Sequence, residues 1–357
     1  MAGVFINRIG TAVPAHNIHR DFTAYAARRL EPRAAALFAR MAGRAGIEHR
    51  HSVLAPGALA TGGADAQEFY RPGGFPDTAA RMAVFEREAT ALALRAVADA
   101  AIDPAAITHL IVASCTGFAA PGLDLHLAAR LGLRADLQRT LVGFMGCSAA
   151  VPALRLARQT VLAEPGAVVL VVNLELCTLH LQETADLETA LTFLLFGDGC
   201  AAAVVSGAPQ GLALHDFRSA TIPDTAELIT WRIGAQGFLM HLAGAVPAAI
   251  AAALRAAREG RDAAGLLRGD AIDAIGDWAV HAGGRSVLDA VEAGLGLPGE
   301  ALAASRAVLA AHGNMSSATV LFVLRRLLDA GGPAGRRGMA MAFGPGMVAE
   351  TFRFSRV

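Results

Sequence analysis

The sequence predicts an α/β protein in which mixed sheets are covered by helices and one βα plan occurs twice. Three observations predict it. Continuous apolar strands alternate with amphipathic helices along the chain, the pattern of sheets buried on both faces. Hydrophobic residues make up 54% of the 357 positions against 17% charged, enough to fill several buried layers. The order of elements and the spacing of their loops recur in the second half, which sets two units at residues 1–210 and 211–357.

Taken in order, residues 1–84 are the least regular, with Gly and Pro clusters at 62–63 and 72–74 and an arginine-bearing helical piece at 32–46. Regular elements follow: a helix over 85–102, an apolar strand over 107–114 and a helix over 122–133. A short apolar run then ends at Gly146, and Ala150, Leu154, Ala157 and Val161 recur at helical spacing behind Cys147. A second apolar strand covers 168–176. Residues 193–205 read as two short strands meeting at Gly197-Asp198-Gly199.

The second half runs helix (246–258), strand (274–280), helix (285–295), helix (314–328) and hairpin (339–354). Cys115 and Cys147 are 32 residues apart (147 − 115); His281, just after the later strand, and Asn314, at the later helix start, are 33 apart (314 − 281). Two such halves packed by pseudo-symmetry bring Cys147, His281 and Asn314 together in the middle.

Cys147 sits at a helix start, where unpaired N–H groups and the dipole favour thiolate over thiol. Read alone, a buried cysteine is more often a small apolar residue filling a strand-to-helix corner. Pro152 lies in the first turn, where its missing N–H costs nothing. His281 precedes Gly283-Gly284, so its ring stands beside closely approaching backbone. Asn314 is by itself a good helix cap. Their convergence makes the three a nucleophile with two hydrogen-bonding partners.

The segments GFMGCSAA, LLFGDGCAAAVV, WAVHAGGRSVLDAVEAGLGL, HGNMSSATVLFVLRR and AFGPGMVAETF occur in that order. Together they resemble type III polyketide synthases, the chalcone synthase-like family of the thiolase superfamily. The resemblance implies a thiolase-like duplicated αβαβα layered fold. It implies catalytic roles for Cys147, His281 and Asn314, with Phe196 as gatekeeper between a CoA tunnel and the cavity. Cavity positions fall on Cys115, Ala120, Cys177, Met240, Ser316, Gly344, Pro345 and Gly346, and CoA-binding positions on Arg40, Arg44, Gly283 and Ser286. Cys200 reads as plain strand core.

By the same resemblance, an acyl-CoA starter is loaded on Cys147 and extended by decarboxylative condensation with malonyl-CoA, then cyclised to a pyrone or phenol. Metal and cofactor are expected to be none, and the assembly a homodimer. Alternatives are a single-step condensing enzyme of the ketoacyl synthase III kind, which typically carries Asn shortly after the histidine, and a catalytically silent acyl-binding homologue. The chain departs from the plant pattern at Ala282 after the histidine, at His312 where tyrosine is common and at Ala342 before Phe343-Gly344-Pro345-Gly346. Ala120 replaces a bulky methionine, and Met240 stands near a cavity phenylalanine position.

A formal charge of +0 gives no electrostatic reason to expect nucleic acid or an anionic membrane as partner. Every basic residue is arginine. Four cysteines without metal or disulfide spacing fit a reducing compartment. The amino terminus carries no signal-peptide pattern, and no run approaches the ~18 apolar residues of a spanning helix. A cytoplasmic location is expected.

Overall fold

The structure is a computed structural model that describes residues 3–57 and 63–357. Strand β1 (Phe5–Ala12), β2 (His16–Asn17), α1 (His19–Arg29), α2 (Pro32–Ala42) and β3 (His51–Ser52) lead into the long helix α3 (Thr78–Asp99). Next come β4 (His109–Ser114), α4 (Leu123–Leu131), β5 (Gln138–Gly143), α5 (Ala150–Ala163), β6 (Val169–Leu176), α6 (Leu187–Leu195) and β7 (Asp198–Ser206). The rest is β8 (Leu212–Thr221), β9 (Ile229–Gly234), β10 (Gly237–Leu242), α7 (Val246–Gly260), β11 (Asp277–Val280), α8 (Arg285–Leu295), α9 (Ala303–His312), α10 (Thr319–Ala330), β12 (Arg337–Gly344) and β13 (Val348–Arg356).

Strands pair in the order β11-β12-β13-β8-β1-β7-β6-β4-β5. From β1 outward the pairings run antiparallel, antiparallel, parallel, parallel; from β8 outward through β13, β12 and β11 they run antiparallel, antiparallel, parallel. The two series meet only where Phe5 and Ile6 pair with Ala213 and Leu212. The topology is therefore one plan executed twice, and β1, β7, β6 and β4 correspond to β8, β13, β12 and β11.

Side-chain alternation builds the layers. On β4, Leu110 and Val112 face the α3 side with Leu92 and Ala96, while Ile111 and Ala113 face the middle with Ala153 and Leu154. On β12, Ala340 and Ala342 face the same middle, and Met339 and Met341 face the α7–α8 side with Ile250, Leu254 and Leu288. Helices α5 and α10 thus lie between the two sheets. Their sequences allow it: Ala150 to Leu154 and Thr319 to Leu324 are unbroken runs of buried residues, which only a helix covered all round tolerates. The five layers, helix, sheet, helix, sheet, helix, are the predicted fold class.

Several boundaries differ from expectation. The supposedly irregular first segment holds β1, at the junction of the two strand series, and two helices; residue 62 of its Gly cluster lies outside the described residues. Helix α3 begins at Thr78, capped by Asp77, whose carboxylate accepts from Ala80 N. Residues 193–205 are not a hairpin. Phe193 to Leu195 end α6, whose cap Asp186 accepts from Thr189 N, and only the second segment is a strand. The expected helix 314–328 starts five residues later, after a 3₁₀ turn at Ser316–Ala318, and α9, β8, β9 and β10 were not foreseen. The repeat partner of the β12–β13 hairpin is β6 with β7, whose connection is lengthened by α6.

Candidate active site

The edge strand β5 ends at Gly143, and the chain turns through Phe144 and Gly146, both with positive φ, into a 3₁₀ turn at Gly146–Ser148 that feeds α5. Cys147 sits in that turn. Gly146 is needed there twice over: its φ is +63°, and a Cβ would lie 2.5 Å from the Pro345 ring. The β12–β13 turn is thereby pressed onto the cysteine turn. Pro345 lines the cavity at Cys147, with Gly344 and Gly346 on either side of it; a Cβ on Gly344 would press on the Met145 carbonyl and the Ser148 hydroxyl.

His281 follows β11, and its N–H donates to the Met341 carbonyl of β12 at 2.8 Å. The ring is 2% exposed, and neither ring nitrogen has a hydrogen-bond partner among the described residues. Asn314 is pinned at its backbone: its N–H donates to Leu195 O at 2.8 Å, and its carbonyl accepts from Gly197 N at 2.9 Å. Its side chain is half committed. Oδ1 accepts from Ser316 N at 2.8 Å, and one N–H of Nδ2 reaches Gly283 O at 3.2 Å, which leaves a second N–H free. The side chains of Asn314 and Ser316 lie close to the Cys147 sulfur and favour its ionised form, and Gly283 links the asparagine to the His281 segment.

Cys147 opens into a small, almost wholly apolar chamber shared with Cys115, Cys177, Met240, Ser316 and Pro345 of the expected cavity positions. Phe196 also lines it, whereas its neighbour Leu195 lines a groove of about 1720 Å³ on the other side. Arg44, Gly283 and Ser286 line that groove as well. Gly344 and Gly346 flank Pro345 without lining either space, and two further expected positions fall elsewhere. Ala120 is exposed and absent from the lining of either space, because its loop runs outward before α4. Arg40 is exposed on α2 next to Met41, which lines the groove, but is not itself in the lining, and Arg285 at the start of α8 is.

The charge state corrects the expected thiolate. Burial is the largest influence on Cys147 and pushes its thiol up to about 11 against the opposing influence of Ser316 and Asn314. Burial likewise holds His281 down to about 4. The helix start loses to desolvation, since α5 begins only at Ala150 and, among the described residues, the charged group acting on the sulfur is the Glu175 carboxyl, which raises its pKa further. Burial thus disfavours the ionised form of each group taken alone.

His281 is one of six histidines held low by burial, with His19 and His312 at about 4, His180 at about 3, and His51 and His215 also below the ordinary value. Below pH 6.5 the unfolded chain binds protons at these sites that the folded protein refuses, so stability is lost as pH falls from 6.5 toward 4. Asp198, raised to about 7 by burial, and Glu175, also raised by burial, act in the opposite sense. The histidines outnumber them. We expect the melting temperature at pH 5 to lie on the order of 5–10 °C below that at pH 7; an equal or higher value at pH 5 contradicts this balance.

Three contributors were not anticipated. Glu175, fully buried, accepts from Ser317 Oγ at 2.5 Å, Thr116 Oγ1 at 2.7 Å and Cys115 N at 3.0 Å, and so braces the chamber floor. Trp231 Nε1 donates to Cys115 O at 2.7 Å. Arg50, buried in the core, donates through Nη1 to Phe193 O at 3.1 Å and Phe196 O at 2.5 Å. The only sequence signal for Glu175 was a charge inside an apolar strand.

Residues 3–209 match the N-terminal domain, and residues 213–357 the C-terminal domain, of the chalcone and stilbene synthases. The chain is 35% identical to the 1,3,6,8-tetrahydroxynaphthalene synthase of Streptomyces peucetius subsp. caesius, over 98% of this chain and 92% of that protein. It is 33% identical to the alpha-pyrone synthesis polyketide synthase-like Pks18 of Mycobacterium tuberculosis, over 77% of this chain and 72% of that one. Among solved structures, the 1,3,6,8-tetrahydroxynaphthalene synthase of Streptomyces coelicolor A3(2), a bacterial type III polyketide synthase, superposes with a TM-score of 0.86 at 32% identity, covering 99% of both chains. PKS-I from the brown alga Ectocarpus siliculosus gives 0.85 at 30% identity, covering 99% of this chain and 98% of that one.

Proposed function

The chain belongs to the chalcone and stilbene synthase family of type III polyketide synthases, and we propose that Cys147, His281 and Asn314 carry its iterative decarboxylative condensation. The observation that carries this reading is a thiol lining an apolar chamber with Asn314 close to its sulfur, Asn314 being tied through Gly283 to the segment of a buried imidazole whose two nitrogens have no partner among the described residues. Such a buried donor and acceptor are satisfied when a ligand arrives.

In this scheme an acyl-CoA enters along the Arg44–Arg285 groove. The Cys147 thiol gives its proton to the His281 ring as the sulfur attacks the thioester carbonyl, because thiolate and imidazolium stabilise each other at close range where neither is stable alone. CoA thiolate leaves with that proton, which restores the neutral imidazole. Malonyl-CoA then binds with its thioester oxygen toward His281 N–H and the free N–H of Asn314. Its C–CO₂ bond breaks, and the electron pair becomes an enolate held by those two neutral donors. The enolate carbon attacks the acyl-cysteine carbonyl, the Cys147–acyl bond breaks, and the β-ketoacyl-CoA released is reloaded for the next round. Cyclisation to a pyrone or phenol ends the sequence. The scheme calls on no metal or redox cofactor.

A second copy of the chain fits the edge strand β5, where Leu141, Met145 and the nearby Phe118 are exposed apolar residues. No described helix is long and apolar enough to cross a membrane, and the four cysteines are unpaired, as in a reducing compartment. The test is purified protein with labelled malonyl-CoA and acetyl-, medium-chain, long-chain or aromatic acyl-CoA, products resolved by chromatography and mass. Cys147-dependent polyketide pyrones or phenols are expected. A single β-ketoacyl condensation on an acyl-carrier protein, with nothing longer, would replace the assignment by that of a one-step condensing enzyme.

A further inference from the structure

Helix α6 leaves its last carbonyls open. Phe196, which follows it, is in extended backbone at φ −85° and ψ 138°, so no left-handed turn folds back to satisfy them. Their donors come from elsewhere in the chain. Leu195 O accepts from Asn314 N at 2.8 Å, while Phe193 O and Phe196 O both accept from Nη1 of Arg50, at 3.1 Å and 2.5 Å. A cation at a helix C-terminus is favoured by the dipole as well as by the hydrogen bonds it makes.

Arg50 also packs against the asparagine segment. A Cβ on Gly313 would lie 2.8 Å from Arg50 Cγ and 2.7 Å from Leu195 O, and one on Gly197 would lie 2.9 Å from His312 O and 3.5 Å from Arg50 Cβ. The arginine stem therefore fills the notch where residues 195–197 run beside residues 312–314, two segments joined by the backbone bonds that Asn314 makes with Leu195 and Gly197. The guanidinium is itself held: its carbon lies 4.7 Å from the centroid of the Phe22 ring, and Nε donates to His19 Nδ1 at 3.1 Å. Arg50 is 1% exposed, so no bulk water stands ready to replace it at the two carbonyls.

Resting on the reading of Asn314 as an enolate donor, we propose that Arg50 is a positioning residue for decarboxylation, which fixes the end of α6 and through it the side-chain amide of Asn314. Arg50 lies behind the backbone that it holds. The Cys147 turn is braced separately, by Gly146 against Pro345. Disturbing Arg50 therefore displaces one donor of the enolate site and leaves thioester formation at the sulfur in place.

Arg50→Lys keeps the cation and loses the planar fork that serves several partners at once. In a Cys147→Gln background it is expected to lower kcat for malonyl-CoA decarboxylation about tenfold with KM within about twofold, because a displaced donor is missed in the transition state more than in the ground state. With Cys147 intact, single-turnover acylation by labelled acyl-CoA, the best starter of the panel above, should change less than about twofold. Adding Asn314→Ala should erase the effect of Arg50→Lys, since the donor it positions is gone. An equal loss with and without Asn314, an unchanged kcat, or acylation that falls in step with decarboxylation overturns the proposal. Should Arg50→Lys fail to fold, His19→Leu replaces it: this variant keeps both carbonyl bonds of Arg50 and frees Nε, with a loss of about threefold expected when Asn314 is present and none when it is absent. The same loss in both, or none in either, overturns the proposal. No decarboxylation from Cys147→Gln with Arg50 intact would instead sink the assigned enolate site, and this inference with it.

Discussion

Cys147→Ala is expected to abolish polyketide formation, a loss of about 10³-fold or more, the scale on which removal of a covalent nucleophile acts. The side chain is not needed for the fold. Alanine removes one sulfur atom from the edge of a chamber, and the turn that carries it is fixed by Gly146 against Pro345 and by the buried start of α5. The variant should therefore melt near the parent temperature, and labelled acyl-CoA should leave no label on the protein after denaturation. Normal polyketide output from this variant would remove Cys147 from the mechanism. Other thiols do not substitute for it: Cys115 and Cys177 share the chamber, but burial and the nearby Glu175 carboxyl push both well above the ordinary thiol range.

That Cys147 and Asn314 stand just before corresponding helices, and that His281 follows the strand matching the one before Cys115, was legible in the sequence because a duplicated fold leaves a positional signature. The strands before Cys115 and His281, β4 and β11, occupy corresponding places in the two sheets, and the loop spacing carried through. The layered α/β class was legible for the same reason that α5 and α10 are: unbroken apolar runs on helices have only one place to go. What failed to show had competing local signals. Strand β1 begins FINRIGTA, with Asn7 and Arg8 interrupting its apolar pattern, yet it pairs along β7 from Phe5 to Ala12. Residues 193–199 carry Gly-Asp-Gly, a hairpin cue, but Asp198 spends its carboxylate on Thr178 N and Val53 N and so joins loops across the fold.

Electrostatics was the least legible level. A helix start favours a thiolate, and that argument is sound locally; burial of the whole turn outweighs it, and no spacing rule reports burial. Position on a loop was equally hidden. Ala120 and Arg40 align with cavity and CoA positions, but side-chain reach is set by where the backbone turns, and Arg285, next to a glycine pair, occupies the groove that Arg40 does not.

In the proposed scheme His281, which burial holds down to about 4, acts in decarboxylation as a neutral N–H donor, and this has a measurable consequence. In a Cys147→Gln background, where no acyl chain is loaded, malonyl-CoA should still lose CO₂. That rate should be flat in pH from about 5.5 to 8, with no inflection at the ordinary histidine value of 6.5. Adding His281→Ala or Asn314→Ala should lower it by about 10²–10³-fold, the cost of deleting one donor from an oxyanion site. The two deletions differ in what else they disturb. Asn314 also ties Ser316 N and Gly283 O, so its loss loosens the turn, whereas the His281 ring nitrogens hold nothing else, and its loss removes a donor alone. His281→Gln, which keeps a neutral N–H in reach, should therefore recover part of the rate that His281→Ala loses. A decarboxylation rate that instead climbs as pH falls through 6.5, with no recovery from glutamine, would mean that an imidazolium holds the enolate and that the buried ring is charged in the working complex.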